Sequence, residues 1–201
     1  MIAAVTQLPV VDGFDLPEPH RRVLRPDEMV TTRDGHVHRL PRFFYAVESS
    51  AVAVGTQLTP NFALWEFIEV DLHEPAVLRA YPRFVPCAVT VLATAMEVFR
   101  TTVGAPVRIA ANGGYRSPAH AGSVFASPHC WATAANVYRI GNDYIDTAER
   151  ITRYAEVAGR AVAACWTRPS GSTPGEADDH LHLDLGYVTV VPRDASEADR
   201  P

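Results

Sequence analysis

The chain has 201 residues, 47% of them apolar and 20% charged, and a formal net charge of −5. That is enough for one domain with its own core, and the acidic balance excludes the basic footprint of a nucleic-acid or anionic-membrane binder. All 18 cationic side chains are Arg, so Schiff-base and lysine-base chemistry are excluded as well. The three cysteines, Cys87, Cys130 and Cys165, have no CxxC spacing and read as free thiols of a reducing compartment. The opening residues carry no basic region ahead of Asp12 and Asp15, and no stretch approaches the roughly 20 apolar residues of a membrane helix. A cytoplasmic location with no membrane partner is the expectation.

Residues 1–57 read as an N-terminal extension of irregular and β structure, with turns at Asp12-Gly13 and Asp34-Gly35. Strands are predicted at 37–40 and 43–47, with 51–54 continuing them. His36 and His38 share one face of the first strand and read as exposed polar residues. Thr59 is placed as an N-cap with Pro60 at the first position of a helix running through Phe67. Residues 84–103 are predicted as one amphipathic helix, with Val85, Val89, Leu92, Met96 and Phe99 on a single stripe, stopped by Gly104 and Pro106. A short buried strand at 107–111 leads into a tight turn, 112–118, that delivers Arg116 from the strand end. Residues 132–140 are β-like and 146–166 form a second long helix. A Gly/Ser/Pro loop at 169–179 precedes a strand at 180–191, and 193–201 form a disordered tail. The order implies an α+β fold, a small and mainly antiparallel sheet with packed helices, carried by residues 58–192.

The chemistry-bearing residues lie in the second half. Alternation in Leu181-His182-Leu183-Asp184-Leu185 puts His180, His182 and Asp184 on one strand face and the leucines on the other. Three ionisable groups on one face of an apolar strand need partners, and a metal ion with a carboxylate behind one imidazole is a solution to that need. Upstream, Ser127-x-His129 is followed by Ala132-x-Ala134-x-Asn136, seven residues beyond His129.

Gly114-Tyr-Arg116-Ser-Pro-Ala-His120, the Ser127 to Asn136 run and His180-x-His182-x-Asp184-x-Gly186 together resemble the peptidase M15 family of D-alanyl-D-alanine carboxypeptidases and dipeptidases, part of the group that includes lysostaphin-type enzymes and hedgehog domains. Asn61-Phe62 and Glu66-Phe67 add to the likeness, which covers about residues 58–190. It implies a hedgehog/D-Ala-D-Ala peptidase-like fold and one zinc ion held by His129, position 136 and His182. Asp179 would be the general base, where the family usually carries Glu, and His180 would stabilise an oxyanion or hold the base. Arg116 and Ser127 would grip the terminal carboxylate of a short peptide, with Tyr115 and Trp131 lining the pocket or filling the core. Asp184 would stand behind the metal ligand His182, and His120 would be structural.

Three positions depart from the pattern. Asn136 replaces an Asp ligand and removes its negative charge, Ala132 replaces a Gly, and Asp179 is one methylene shorter than Glu. Cys130, Asp143 and Asp146 are the conceivable substitute ligands. Two functions follow as expectations: a zinc peptidase acting on a peptide-like carboxylate ligand, and a descendant with an altered metal site. The descendant would be either a repurposed biosynthetic enzyme acting on an amino-acid-derived metabolite or a non-catalytic binder of a carboxylate.

Overall fold

The structure, a computed structural model, describes residues 8–123, 125–172 and 178–193. In chain order its elements are β1 (Val10–Asp12), α1 (Glu18–Leu24), β2 (Met29–Thr31), β3 (Val37–Arg39), β4 (Phe43–Val47), α2 (Ser50–Gly55), β5 (Gln57–Thr59), β6 (Phe62–Ala63), α3 (Trp65–Ile68), α4 (Ala76–Arg79), β7 (Arg83–Pro86), α5 (Val89–Val103), β8 (Val107–Ile109), β9 (Ala134–Ile140), β10 (Asp143–Tyr144), α6 (Ala148–Ala161), β11 (Trp166–Thr167) and β12 (Leu181–Asp184). The architecture is mixed, with small antiparallel sheets and six α-helices among the described residues. No helix there is long and apolar enough to cross a membrane.

Two sheets carry the body. One has the order β1-β4-β7; in the other, β9 pairs with β8, β10 and β12, and β12 pairs with the edge strand β11. The leucines of β12 follow the predicted alternation: Leu181 and Leu183 are buried in the core with Leu92, Met96 and Phe99 of α5 and Ile151 of α6. Residues ahead of 58 enter the same core through Leu24, Phe44 and Val47.

Several boundaries differ from the sequence expectation, each for a local or a tertiary reason. Residues 51–54 are helical, because the Ser49 hydroxyl accepts the Val52 N–H at 3.2 Å and caps α2. Thr59 and Pro60 open no helix. Glu97 of α5 accepts from the Thr59 hydroxyl at 2.7 Å and from the Asn61 N–H at 3.1 Å, which fastens the β5–β6 hairpin to the helix, and α3 begins only at Trp65. The helix predicted from Phe84 begins at Val89, since Arg83–Pro86 pair with β4 as β7. Gly104 ends it at φ 65, in the left-handed region that glycine enters without a Cβ clash. The second long helix is shorter than predicted at both ends: Thr147 caps it through the Arg150 N–H, and Ala164, at φ 62, precedes β11. Of the strand predicted over 180–191, only Leu181–Asp184 pair, with Gly186 at φ 72 beyond them. Residues 173–177 of the predicted loop and 194–201 of the predicted tail lie outside the described residues.

Candidate metal centre

Strand register assembles the site. Asn136 of β9 lies directly opposite His182 of β12, so their side chains share one face of the sheet. His182 Nδ1 is 2.8 Å from Asn136 Oδ1, and its Nε2 is 3.0 Å from Asp184 Oδ2. Asp184 is itself held by the Gly186 N–H at 2.8 Å. Asp184, expected to stand behind His182, is hydrogen-bonded to its ring. With Nε2–H donated to the carboxylate, Nδ1 presents a lone pair to the amide oxygen. Two acceptors 2.8 Å apart are reconciled by a rotated amide or by a cation bound to both.

His129 arrives from another direction. It sits in a 3-10 turn, Pro128–Trp131, that starts after Ser127 and ends at Ala132 in the left-handed region, φ 56 and ψ 37. That conformation is why a Gly would suit position 132; the Ala methyl is tolerated at a conformational cost. His129 donates Nδ1–H to the Gly114 carbonyl at 2.6 Å, so its Nε2 carries the lone pair. Nε2 is buried and has no hydrogen-bond partner. The His129 and His182 rings stand 5.2 Å apart at 60°. Burial, aided by the positive charge of Arg116, pushes the His129 pKa well below its ordinary value and keeps the ring neutral, the form a metal requires.

Gly114 sets this arrangement through its lack of a side chain. A Cβ there would lie 2.3 Å from the Phe67 carbonyl oxygen. Gly114→Ala is expected to destabilise the protein by about 1–3 kcal/mol, because the clash is with backbone that cannot step aside. It should also loosen His129. Denaturant titration measures the first effect, and the His129 imidazole resonance reports the second.

The residues assigned to the carboxylate pocket are arranged unevenly. Arg116 is tied to the site by its backbone N–H, which donates to the His129 carbonyl at 3.3 Å. Its Nε is buried without a hydrogen-bond partner, and burial lowers its pKa. Ser127 precedes the 3-10 turn but makes no side-chain cap there. Tyr115 and Trp131 are not cleft walls. Tyr115 is buried and lines a small cavity with Glu74 and Arg83. Its hydroxyl, Glu74 Oε1 and Arg83 Nε are each buried without a hydrogen-bond partner. Trp131 is 0% exposed and donates its indole N–H to the Arg39 carbonyl at 3.0 Å.

Asp179 and His180, which precede His182 on the chain, are joined to each other. His180 Nδ1 is 2.7 Å from Asp179 Oδ1, the hydrogen bond expected if His180 holds the base, while the Asp179 side chain is 68% exposed. On its other nitrogen His180 accepts from Arg168 Nη2 at 3.1 Å. Burial lowers the His180 pKa, and Asp179 opposes the shift. Arg168 was not singled out from the sequence, although Trp166-x-Arg168 repeats the period-2 pattern of His182-x-Asp184. His120, expected to be structural, is buried, faces Asp71 Oδ1 at 3.4 Å and accepts the Gly122 N–H at 2.9 Å.

None of the substitute ligands reaches this place. Asp143 accepts from the Tyr154 hydroxyl at 2.7 Å and Asp146 from Arg150 at 2.9 Å. Cys130 is buried with its thiol pKa pushed up to about 11 by burial, which disfavours the thiolate a metal needs. Among the described residues no group of three or more His, Cys, Asp or Glu side chains could hold a metal ion. What the fold does bring together is two imidazoles and one amide oxygen, with a carboxylate behind. Comparison of the chain with protein families, curated proteins and solved structures found no match.

Proposed function

We propose that this chain is a metal-dependent peptidase of the M15 type, with a hedgehog/D-Ala-D-Ala peptidase-like fold, that hydrolyses a short peptide bearing a free C-terminal carboxylate. The observation that carries the reading is the unpartnered, buried Nε2 of His129 beside His182. Leaving such an atom unpaired costs about 1–3 kcal/mol, and a divalent ion held with His182 Nδ1 and Asn136 Oδ1 would satisfy all three donor atoms at once. The donor set fits zinc, although an amide in place of a carboxylate makes it neutral and weaker. Zinc, when bound, would polarise the scissile carbonyl and bring the pKa of its water towards 7.

The protein's own groups would do the rest. Asp184 fixes the tautomer and orientation of His182, and the Gly114 carbonyl does the same for His129. Arg116 would take the substrate carboxylate, for which a planar guanidinium offers two parallel hydrogen bonds. Asp179, oriented by His180, would accept a proton and return it to the leaving amine.

A second reading is favoured by one observation. The side chain at position 136 is a neutral amide already 2.8 Å from His182, so the site closes on itself with no cation. The chain would then be a descendant that binds a carboxylate ligand without peptide hydrolysis. Elemental analysis of protein purified without added metal separates the two. The peptidase is expected to retain near-stoichiometric zinc, to lose D-Ala-D-Ala dipeptidase activity to a chelator and to regain it with zinc, and His182→Ala should abolish both. Metal-free protein that gains none from added zinc would leave only the second reading.

A further inference from the structure

We propose that a cavity of about 300 Å³ between the β2–β3 hairpin and the loop ahead of the 3-10 turn binds a small, neutral aromatic molecule with one hydrogen-bonding head, of the class of an aryl carboxamide. The site is shared by segments 25–40 and 118–130, and Cys130, next to His129 in the turn, is one of its walls. It depends neither on a metal nor on peptide hydrolysis.

Both walls are fastened by the protein itself. On the hairpin side the Leu40 N–H donates to the Glu28 carbonyl at 2.9 Å, and the Glu28 carboxylate accepts from Arg25 Nε and Nη2, each at 2.7 Å. On the loop side the Ser123 N–H donates to the His120 carbonyl at 2.9 Å, and the Ala119 N–H donates to the Ser117 hydroxyl at 3.2 Å. Leu40 and Cys130 are buried together in the cluster around Trp131. A cavity with walls held in this way is largely formed before a ligand arrives, so binding costs little ordering. An engineered cavity of about 150 Å³ accommodates benzene, and this one has room for a single ring and a head group.

The ring is argued from the rim. Phe125 and Ala126 stand at φ 54 and φ 50, two consecutive left-handed residues, a conformation disfavoured for any residue with a Cβ. Backbone of that kind persists where its surroundings impose it, and it is concentrated at ligand sites. In this setting the Phe125 ring is 58% exposed yet lines the cavity, with the Arg33 guanidinium 5.3 Å from its centre. Met29, 50% exposed, lines the same cavity. A thioether and a phenyl ring bordering one space favour a second ring between them.

The head group is argued from the interior. Among the described residues the buried Ser123 hydroxyl makes no hydrogen bond to nitrogen or oxygen; its polar neighbour is the Cys130 thiol, a weak partner. A hydroxyl both donates and accepts, so a carboxamide satisfies it through either of its two polar atoms. Charge decides against an ion. Arg25 is the one charged side chain among the described lining residues, and Glu28 already neutralises it through two hydrogen bonds. A carboxylate entering the cavity would lose water without gaining a countercharge, which is unfavourable.

Benzamide and benzoate, nearly equal in shape but different by one charge, test this by titration of the full chain followed through its methionine methyl resonances. Benzamide is expected to saturate and to bind about tenfold or more tightly than benzoate. Its ring should move the Met29 methyl resonance and leave that of Met96, buried in the main core, in place. Phe125→Ala and Ser123→Ala should each weaken benzamide about fivefold, the scale of one aromatic contact and of one neutral hydrogen bond. Neither side chain belongs to a core cluster, so both variants are expected to melt as the wild type does. A chelator should leave benzamide affinity unchanged, which separates this site from the metal centre. The inference is overturned by benzamide that fails to saturate, by benzoate bound equally or more tightly, or by affinity that both variants leave intact. A shift confined to Met96, or binding abolished by the chelator, overturns it as well.

Discussion

Asn136→Asp is expected to tighten zinc binding by on the order of 100-fold, measured by competition with a chromophoric chelator. Outer-shell partners of metal ligands are worth about 10–100-fold, and here the ligand atom itself would change from a neutral amide to a carboxylate. The position is already right: Asn136 Oδ1 lies 2.8 Å from His182 Nδ1 and shares a face with it through strand register, so Asp Oδ1 would occupy the same place without backbone movement. Near it, His129 is held neutral by burial, so the added anion meets no fixed positive charge from that ring until a cation arrives. Equal zinc affinity in the two proteins would mean that Asn136 does not belong to a metal site. Zinc retained only by the Asp variant would identify the natural protein as a descendant that has given up its metal.

Trp131→Ala is expected to cost about 3–5 kcal/mol, the range for removing a large aromatic from a packed interior. The melting temperature should fall by roughly 10 °C for a chain of this size. Trp131 is the centre of a satellite cluster with Leu40, Cys130 and Ala126, and its ring meets Tyr187 edge-on at 4.9 Å. Its indole N–H to the Arg39 carbonyl ties the β2–β3 hairpin to the 3-10 turn that carries His129. The loss therefore leaves a cavity and an unpaired buried carbonyl together. Calorimetry checks the magnitude, and Trp131→Phe, which fills most of the space but lacks the donor, should fall between. A drop of less than about 1 kcal/mol for the Ala variant would show that the hairpin is not held through this residue.

Much of the candidate site was legible without coordinates because its signals are local. The alternation of β12 placed Leu181 and Leu183 in the core and His182 with Asp184 on the opposite face, and a two-residue period needs no knowledge of partners. The seven-residue interval from His129 to Asn136 marked a ligand spacing and 132–140 read as β-like, but the 3-10 turn that carries His129 was not foreseen. Arg116 at the strand-to-turn corner followed from Gly113 and Gly114 ahead of it and Pro118 after it. The errors lie where a distant residue intervenes. Thr59-Pro60 has every local mark of a helix start, yet Glu97 captures the Thr hydroxyl and the Asn61 amide. Val85 fits the stripe of α5 by spacing, but pairing with Tyr45 claims it for β7. Trp131, adjacent to candidate ligands, was open to a pocket role until the hairpin was seen to cover it.

The sequence by itself determined the class of chemistry on offer: imidazoles, an amide where a carboxylate would be expected, guanidiniums and no lysine, grouped on strands and turns by their spacing. It also determined the antiparallel, helix-packed character of the fold, because hydrophobic period is a property of neighbouring residues. Only the tertiary structure decided that Arg168 joins His182 and Asn136 in one row, that Asp179 stands exposed beside His180, and that His129 keeps a buried nitrogen without a partner. Register between strands and the burial of single atoms depend on residues tens of positions apart, and no local pattern encodes which of them will meet.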